Sequence, residues 1–350
     1  MRGLGMEIQV PGLIVCLAVL FGAVRCLVPS FAMLRLSMDS GLARLNFAMP
    51  DGGVADRRSL SDQIVQIMRD AMKAPALLLV TLTLFSAQAS AQTPVERGRY
   101  LVNAVMSCHN CHTPMGPNGP DFSRALSGGL TFDEPTFKVT ASNITPDKNT
   151  GVGAWSDEEL KEYLVTGMRP NGIPTAPIMP TGFYTRITPR DLSAVVAYLR
   201  SVKPISNVVP MPEYKQAVKP EIGPYAGGPV SDDDMKDPVT RGMYLVRLAH
   251  CLECHTPSGP SGRDDANSTG KGGSTFRGPF GESVSANITS HPTAGLGRWT
   301  DAEIKRAITQ GVSRDGRKLK PPMAYAFYAQ IAPSDLDAIV KFLRTLPPKE

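Results

Sequence analysis

The chain has 350 residues, with 32 glycines, 31 prolines and an aromatic share of only 7%, which is enough length for two ordinary domains with irregular segments between helices. A net charge of +5, with no basic run interleaved with aromatics, argues against a nucleic-acid partner. Of the six cysteines, Cys16 and Cys26 stand apart, while Cys108, Cys111, Cys251 and Cys254 form two CxxC pairs.

An apolar run from Val10 to Val28 comes first, interrupted by Pro11 and Arg25. Residues 72–91 then read MKAPALLLVTLTLFSAQASA: a methionine, a lysine, an apolar stretch from Ala74 to Phe85 and a small-x-small ending at Ala89-Ser90-Ala91. That layout is a secretory signal peptide. Such a peptide opens a chain, so residues 1–71 are read as a mis-called upstream extension or a disordered one, with translation starting at Met72 or Met68. The alternative is a membrane anchor at Pro11–Leu20. From Gln92 onward no stretch is long enough to span a bilayer.

The remainder aligns with itself at a shift of 144 residues. Gly128-Gly129 matches Gly272-Gly273, and Asn143-Ile144-Thr145 matches Asn287-Ile288-Thr289. Gly153, Trp155, Asp157 and Glu159 match Gly297, Trp299, Asp301 and Glu303. Phe183-Tyr184, Asp191-Leu192 and Leu199-Arg200 recur as Phe327-Tyr328, Asp335-Leu336 and Leu343-Arg344. The CxxC pairs themselves match at a shift of 143. The expectation is a duplicated domain, with copies at 92–206 and 237–350. The segment 207–236 between them holds Pro210, Pro212, Pro220, Pro224 and Pro229 and the acidic run Asp232–Asp234, and is read as an extended linker.

Each copy predicts the same elements. A helix over Pro94–Val105 leads into the first CxxC pair, and a long Gly/Pro-rich stretch follows. Ser156 caps a helix running to Thr166, with Asp157, Glu158 and Glu159 in the first turn and Gly167 as its stop. A last helix starts after Thr188 with Pro189 and carries the stripe Leu192, Val195, Val196 and Leu199. In the second copy Thr300 caps Asp301–Gln310, Gly311 stops it, and the final stripe is Leu336, Ile339, Val340 and Leu343. No convincing strand pattern appears, so the predicted class is all-α.

Each CxxC pair is followed directly by histidine, giving Cys108-His109-Asn110-Cys111-His112 and Cys251-Leu252-Glu253-Cys254-His255. Two thiols on one helical turn can form thioethers to the two vinyl groups of one haem edge, and the next residue then lies under the iron. The motif therefore reads as c-type haem attachment, with His112 and His255 as proximal ligands. A redox dithiol would need a βαβ setting, and one zinc site would need cysteines that here lie in separate repeats. For the sixth ligand, the shift pairs Met179 in Pro177-Ile178-Met179-Pro180 with Met323 in Pro321-Pro322-Met323. Proline-stiffened loops can hold a thioether against iron. His/Met ligation raises the haem potential and fills both axial positions, which describes an electron carrier. His109, His250 and His291 are read as surface or structural, and Asn143, Trp155, Asn287 and Trp299 either as pocket walls and propionate contacts or as repeat-specific packing.

The residues CHNCH and CLECH, the paired NIT and GxGxW[ST]D segments, Pro-Ile-Met-Pro and the closing DLSAVVAYLRSVKP resemble class I cytochrome c domains. More narrowly, they resemble the cytochrome c subunits of bacterial membrane-associated alcohol, aldehyde and gluconate dehydrogenases. The resemblance covers nearly all of residues 93–350. It implies two covalently bound haem c groups with their iron, a periplasmic location, a dehydrogenase catalytic subunit as electron donor, and a cytochrome, quinone or oxidase as acceptor, with peripheral membrane association left open. Many members of that group carry three haem domains and an amphipathic carboxy-terminal anchor, whereas this sequence shows two haem motifs. The competing readings are a dihaem thiosulfate dehydrogenase-like enzyme or peroxidase, which needs an iron with a labile or missing sixth ligand, and a free dihaem shuttle of the c4 type.

Overall fold

The computed structural model describes residues 23–28, 32–39 and 42–48 and then residues 92–350, apart from 118, 219–222, 260, 261, 264 and 279. The expected signal peptide and the alternative anchor at Pro11–Leu20 lie outside the described residues. The chain divides into two compact units, Met1–Ser90 and Ala91–Glu350. In the first, the described residues form an antiparallel meander of Ala23–Val28, Ala32–Asp39 and Leu42–Ala48, with Cys26 opposite Leu34 and Leu36 opposite Leu45.

The second unit is built on helices whose ends are written in the sequence. Helix α1, Pro94–Tyr100, starts from a reciprocal cap: the Glu96 N–H donates to the Thr93 hydroxyl, and the Thr93 N–H donates to the Glu96 carboxylate. It continues in one wide π turn, Leu101–Val105, whose Leu101, Val102, Ala104 and Val105 are buried. Helix α2 is the short segment His109–His112. Helix α3, Asp157–Thr166, has the same reciprocal cap between Ser156 and Glu159, and Gly167 ends it at φ 72°, a left-handed conformation that costs a residue without Cβ little. Helix α4, Pro189–Ser201, begins on Thr188 and buries Ala194, Val195, Val196 and Leu199.

The same order returns as α5 (Pro238–Leu248), α6 (Cys251–His255), α7 (Asp265–Ser268), α8 (Asp301–Gln310), α9 (Tyr325–Tyr328) and α10 (Pro333–Thr345). Helix α1 crosses α4 at Gly98, where a Cβ would run into the Ala194 carbonyl oxygen; α5 crosses α10 at Gly242, where it would meet the Ala338 carbonyl. Glycine is required at both crossings because the backbones approach too closely for any side chain.

Short antiparallel strands, which the sequence reading did not expect, also occur. Thr131–Asp133, Phe137–Thr140 and Glu213–Tyr214 form one three-stranded ribbon, and Thr275–Gly278 pairs with Gly281–Val284. Runs of two to four residues are too short to display an alternating pattern, and they are held by pairing rather than by propensity. Part of the segment read as an extended linker is thus a strand against Phe137–Lys138, and Lys215 reaches Asp133 at 2.8 Å.

One apolar cluster runs through residues of both halves, from Leu101 to Leu346. Two matched contacts stitch the halves across it. The Tyr100 hydroxyl donates to Asp335 Oδ2 at 2.6 Å and accepts the Ala332 N–H. The Tyr244 hydroxyl donates to Asp191 Oδ2 at 2.7 Å and accepts the Thr188 N–H. Each tyrosine comes from the first helix of one half and satisfies the start of the last helix of the other. Among the described residues no helix is long and apolar enough to cross a membrane.

Candidate haem-attachment clefts

Each half folds its CxxCH helix against the loop carrying its matched methionine. Cys108, Cys111, His112 and Met179 line one cleft, together with Phe132, Val139, Ala176, Ile178 and Tyr184. Cys251, Cys254, His255 and Met323 line the other, together with Phe276, Leu296, Trp299 and Tyr328. The structure therefore brings together, in two separate places, all eight residues that the sequence singled out. The cavities differ, at about 80 Å³ for the first and about 630 Å³ for the second.

Local geometry sets the chemistry. His112 Nδ1 donates to the Ser142 carbonyl at 2.7 Å, and His255 Nδ1 to the Ala286 carbonyl at 2.6 Å. A carbonyl can only accept, so the proton is fixed on Nδ1 and the Nε2 lone pair is left for a metal. Burial lowers the pKa of both imidazoles, and the carbonyl bonds work against that shift. None of the four cysteines is in a disulfide. Burial pushes the Cys108, Cys111 and Cys251 thiols up to about 12, so they are neutral near pH 7. Among the described residues no group of three or more His, Cys, Asp or Glu is placed to hold a bare metal ion. Thiol pairs on one helical turn, beside an imidazole with a directed lone pair and a thioether across an apolar cleft, fit covalent haem c.

The methionine loops are anchored from behind. The carbonyl of the glycine that ends each middle helix accepts an N–H from the loop: Thr175 to Gly167 and Leu319 to Gly311, both at 2.7 Å. Arg200 on α4 donates to the carbonyls of Val152 and Trp155 at 2.7 and 2.5 Å and to Asp157 at 2.9 Å. Arg344 on α10 repeats this with Leu296, Trp299 and Asp301. The GxGxW segment is thereby clamped to the last helix. The sequence showed these arginines only as repeat identities, with no signal for what they grip.

Asn143 Oδ1 accepts the Thr145 N–H and hydroxyl, and its Nδ2 donates to Thr150 and to the Ile205 carbonyl. Asn287 repeats the first pair with Thr289 and donates to the Lys349 carbonyl at 2.6 Å. Both asparagines clamp their loops. Trp299 and Asn287 line the second cleft, whereas Trp155 packs edge-on against Tyr163 with centroids 5.3 Å apart. His109 is buried, with Nδ1 at 2.8 Å from Thr113 Oγ1 and Nε2 at 3.0 Å from Asn103 Oδ1; burial, then the neighbouring His112, pull its pKa down to about 4. His250 pairs with Glu253 at 2.8 Å, and His291 Nδ1 accepts the Ala294 N–H at 3.0 Å. Tyr184 and Tyr328 were visible only as a matched Phe-Tyr pair, yet both are buried beside the thiols. Burial raises each hydroxyl's pKa, and the neighbouring thiols of its own CxxCH add to the shift.

A helical scaffold that presents CxxCH to a distant methionine defines a c-type cytochrome. The cytochrome c family pattern matches residues 239–347. The chain is 33% identical to the fructose dehydrogenase cytochrome subunit of Gluconobacter japonicus, over 75% of this chain and 54% of that one. It is 28% identical to the cytochrome c subunit of the quinone alcohol dehydrogenase of Gluconobacter oxydans, over 82% and 62%. It is 30% identical to a diheme cytochrome c-type protein of Cereibacter sphaeroides, over 69% of this chain and 82% of the relative. The chain belongs to the cytochrome c family, and that membership implies covalently bound haem c. It spans between half and two thirds of the length of these two dehydrogenase relatives.

Proposed function

We propose that this chain is a dihaem electron-transfer subunit, exported by the signal at 72–91 to the periplasm. In this reading it accepts electrons from a dehydrogenase catalytic subunit and delivers them to a cytochrome, quinone or oxidase. Residues 92–206 and 237–350 are tandem class I cytochrome c domains related by duplication and joined by the proline-rich segment 207–236. Cys108, Cys111 and His112 hold one haem with Met179 as sixth ligand; Cys251, Cys254 and His255 hold the other with Met323. The observation that carries this reading is that each CxxCH shares a cleft with the methionine at the matched position in its own half.

Haem c, once attached, supplies a one-electron iron couple whose potential His/Met ligation raises. The chain's own residues do the rest. The Ser142 and Ala286 carbonyls orient the two imidazoles, the clamps of Arg200 and Arg344 brace the loops, and the apolar walls limit water. The names of the relatives support a dehydrogenase as donor and argue against a catalytic role for this chain.

Expression with a c-type maturation system, followed by intact mass and haemochrome quantification, should show two haems per chain; one haem or none overturns the proposal. Met179→His and Met323→His should each remove part of the sulfur–iron absorption band and lower one midpoint potential. Unchanged spectra and potentials in both variants would remove the axial assignment.

A further inference from the structure

The two clefts are not independent. Asn110 is the second variable residue of the first CxxCH, yet its Nδ2 donates across the halves to the Pro322 carbonyl at 3.4 Å. Pro322 is the residue before Met323, and both line the second cleft. The contact is reinforced one residue earlier. His109 stacks on Phe327 of α9, with centroids 6.1 Å apart and planes 9° from parallel, and Phe122 packs edge-on against both rings. Phe327 and Met323 flank the short stretch that turns from the second methionine loop into α9. His109 is itself fixed by Thr113 and Asn103, so the seam has a rigid side, supplied by the first attachment helix, and a loop side, supplied by the second cleft.

We propose that Asn110 is a positioning residue for the second iron site: its amide anchors the Pro322 carbonyl and thereby holds the Met323 thioether in place, although Asn110 belongs to the attachment motif of the first. The proposal rests on Met323 being the sixth ligand of the second haem. A side-chain amide donor is needed because the Pro322 carbonyl is the group presented, and Asn has the reach and the donor at that place on α2. The corresponding residue of the second motif is Glu253, whose carboxylate side chain has no N–H to give and lies 2.8 Å from His250 Nδ1. A carbonyl released from its donor leaves the loop free to swing, and a thioether is a weak ligand whose occupancy depends on where the loop puts it.

The test uses the two-haem protein and reads spectrum and potential rather than activity. Asn110→Ala and the near-isosteric Asn110→Leu should weaken the second site's share of the sulfur–iron band and lower the second site's midpoint potential. The first site, whose own motif carries the change, should keep its band and its potential. Asn110→Gln, which restores a donor, should recover the second site. The second site is assigned by its loss in Met323→His. If that substitution leaves the band and both potentials untouched, the ligand reading fails and takes this one with it. If Met323→His abolishes the second band while Asn110→Ala and Asn110→Leu leave both sites as in the parent, the ligand reading stands and the positioning role is refuted. A shift confined to the first site would equally overturn it.

Discussion

The two halves use the same parts at matched positions and build clefts of very different volume. The loop before Met179 runs through Ile173, Pro174, Thr175 and Ala176, and Ala176 joins Phe137 and Val139 in a small apolar cluster. Tyr214, from the segment after the first half, packs on that cluster and donates to the Pro174 carbonyl at 2.5 Å. The loop before Met323 instead reads Arg317, Lys318, Leu319 and Lys320, and its ribbon Thr275–Gly278/Gly281–Val284 has no third strand among the described residues. These cationic side chains are exposed, and the Lys320 ammonium ties the loop to the ribbon by donating to the Glu282 carbonyl at 3.0 Å. The segment between the halves is therefore more than a tether. It supplies the third strand and the tyrosine that pack behind the apolar wall of the first cleft.

A second difference concerns the latches. Asp191 is held by Arg97 through two hydrogen bonds of 2.9 and 2.6 Å, and it also accepts from Tyr244. Asp335 is paired with Arg241, which is more exposed than Arg97, and accepts from Tyr100. Breaking the more buried pair should have the larger effect. Asp191→Ala should cost about 3 kcal/mol of unfolding free energy by chemical denaturation, because it strands a partly buried guanidinium. Asp335→Ala should cost only about 1 kcal/mol from its ion pair, given the solvent around Arg241. Equal costs would erase the asymmetry.

The pH dependence sharpens the same contrast. Burial pushes the Asp191 carboxyl up, but the hydrogen bond and charge of Arg97 outweigh it and hold the group below its ordinary value. A carboxyl depressed in the folded state favours folding once it is ionised. That contribution is complete above the unfolded value of about 4 and is lost as pH falls through the folded one. The stability difference between the parent and Asp191→Asn should therefore shrink in acid below about pH 4 and be level from there to neutrality.

The next largest effect tests a position where the halves diverge. The fully buried Arg247 donates to the Gly182 and Gly223 carbonyls at 2.6 and 3.0 Å and to Thr185, and lies over the Phe183 ring. Asn103 stands at the matched place in the first half, where it accepts from His109. Arg247→Leu leaves those carbonyls without this donor and should cost roughly 2 kcal/mol. Asn103→Leu should cost less, since it removes one hydrogen bond. The smallest effects belong to the crossing hydroxyls. Tyr244→Phe and Tyr100→Phe should each cost about 1 kcal/mol, with ring packing retained. A cost near zero for either would show that water replaces that latch.

Much of this could be read without coordinates. The helix starts were legible because capping is local: Ser156 with Glu159 and Thr300 with Glu303 lie three residues apart. The eight cleft residues were legible because the attachment spacing is fixed by chemistry and the repeat pairs the methionines. The hairpin strands were not, because runs of two to four residues show no alternation, and the packing of Tyr214, the arginine clamps and the Asn110 contact were not, because each joins residues dozens to hundreds of positions apart.

The sequence by itself determined the attachment motifs and the helix ends: thiols, imidazoles, caps and glycine stops act within a turn or two of the chain, and matched positions show as identities. Only the tertiary structure decided how the two halves meet. Which tyrosine crosses to which carboxylate, and which motif leans on the other cleft's methionine loop, depend on packing two surfaces together, and no short-range pattern along the chain encodes that.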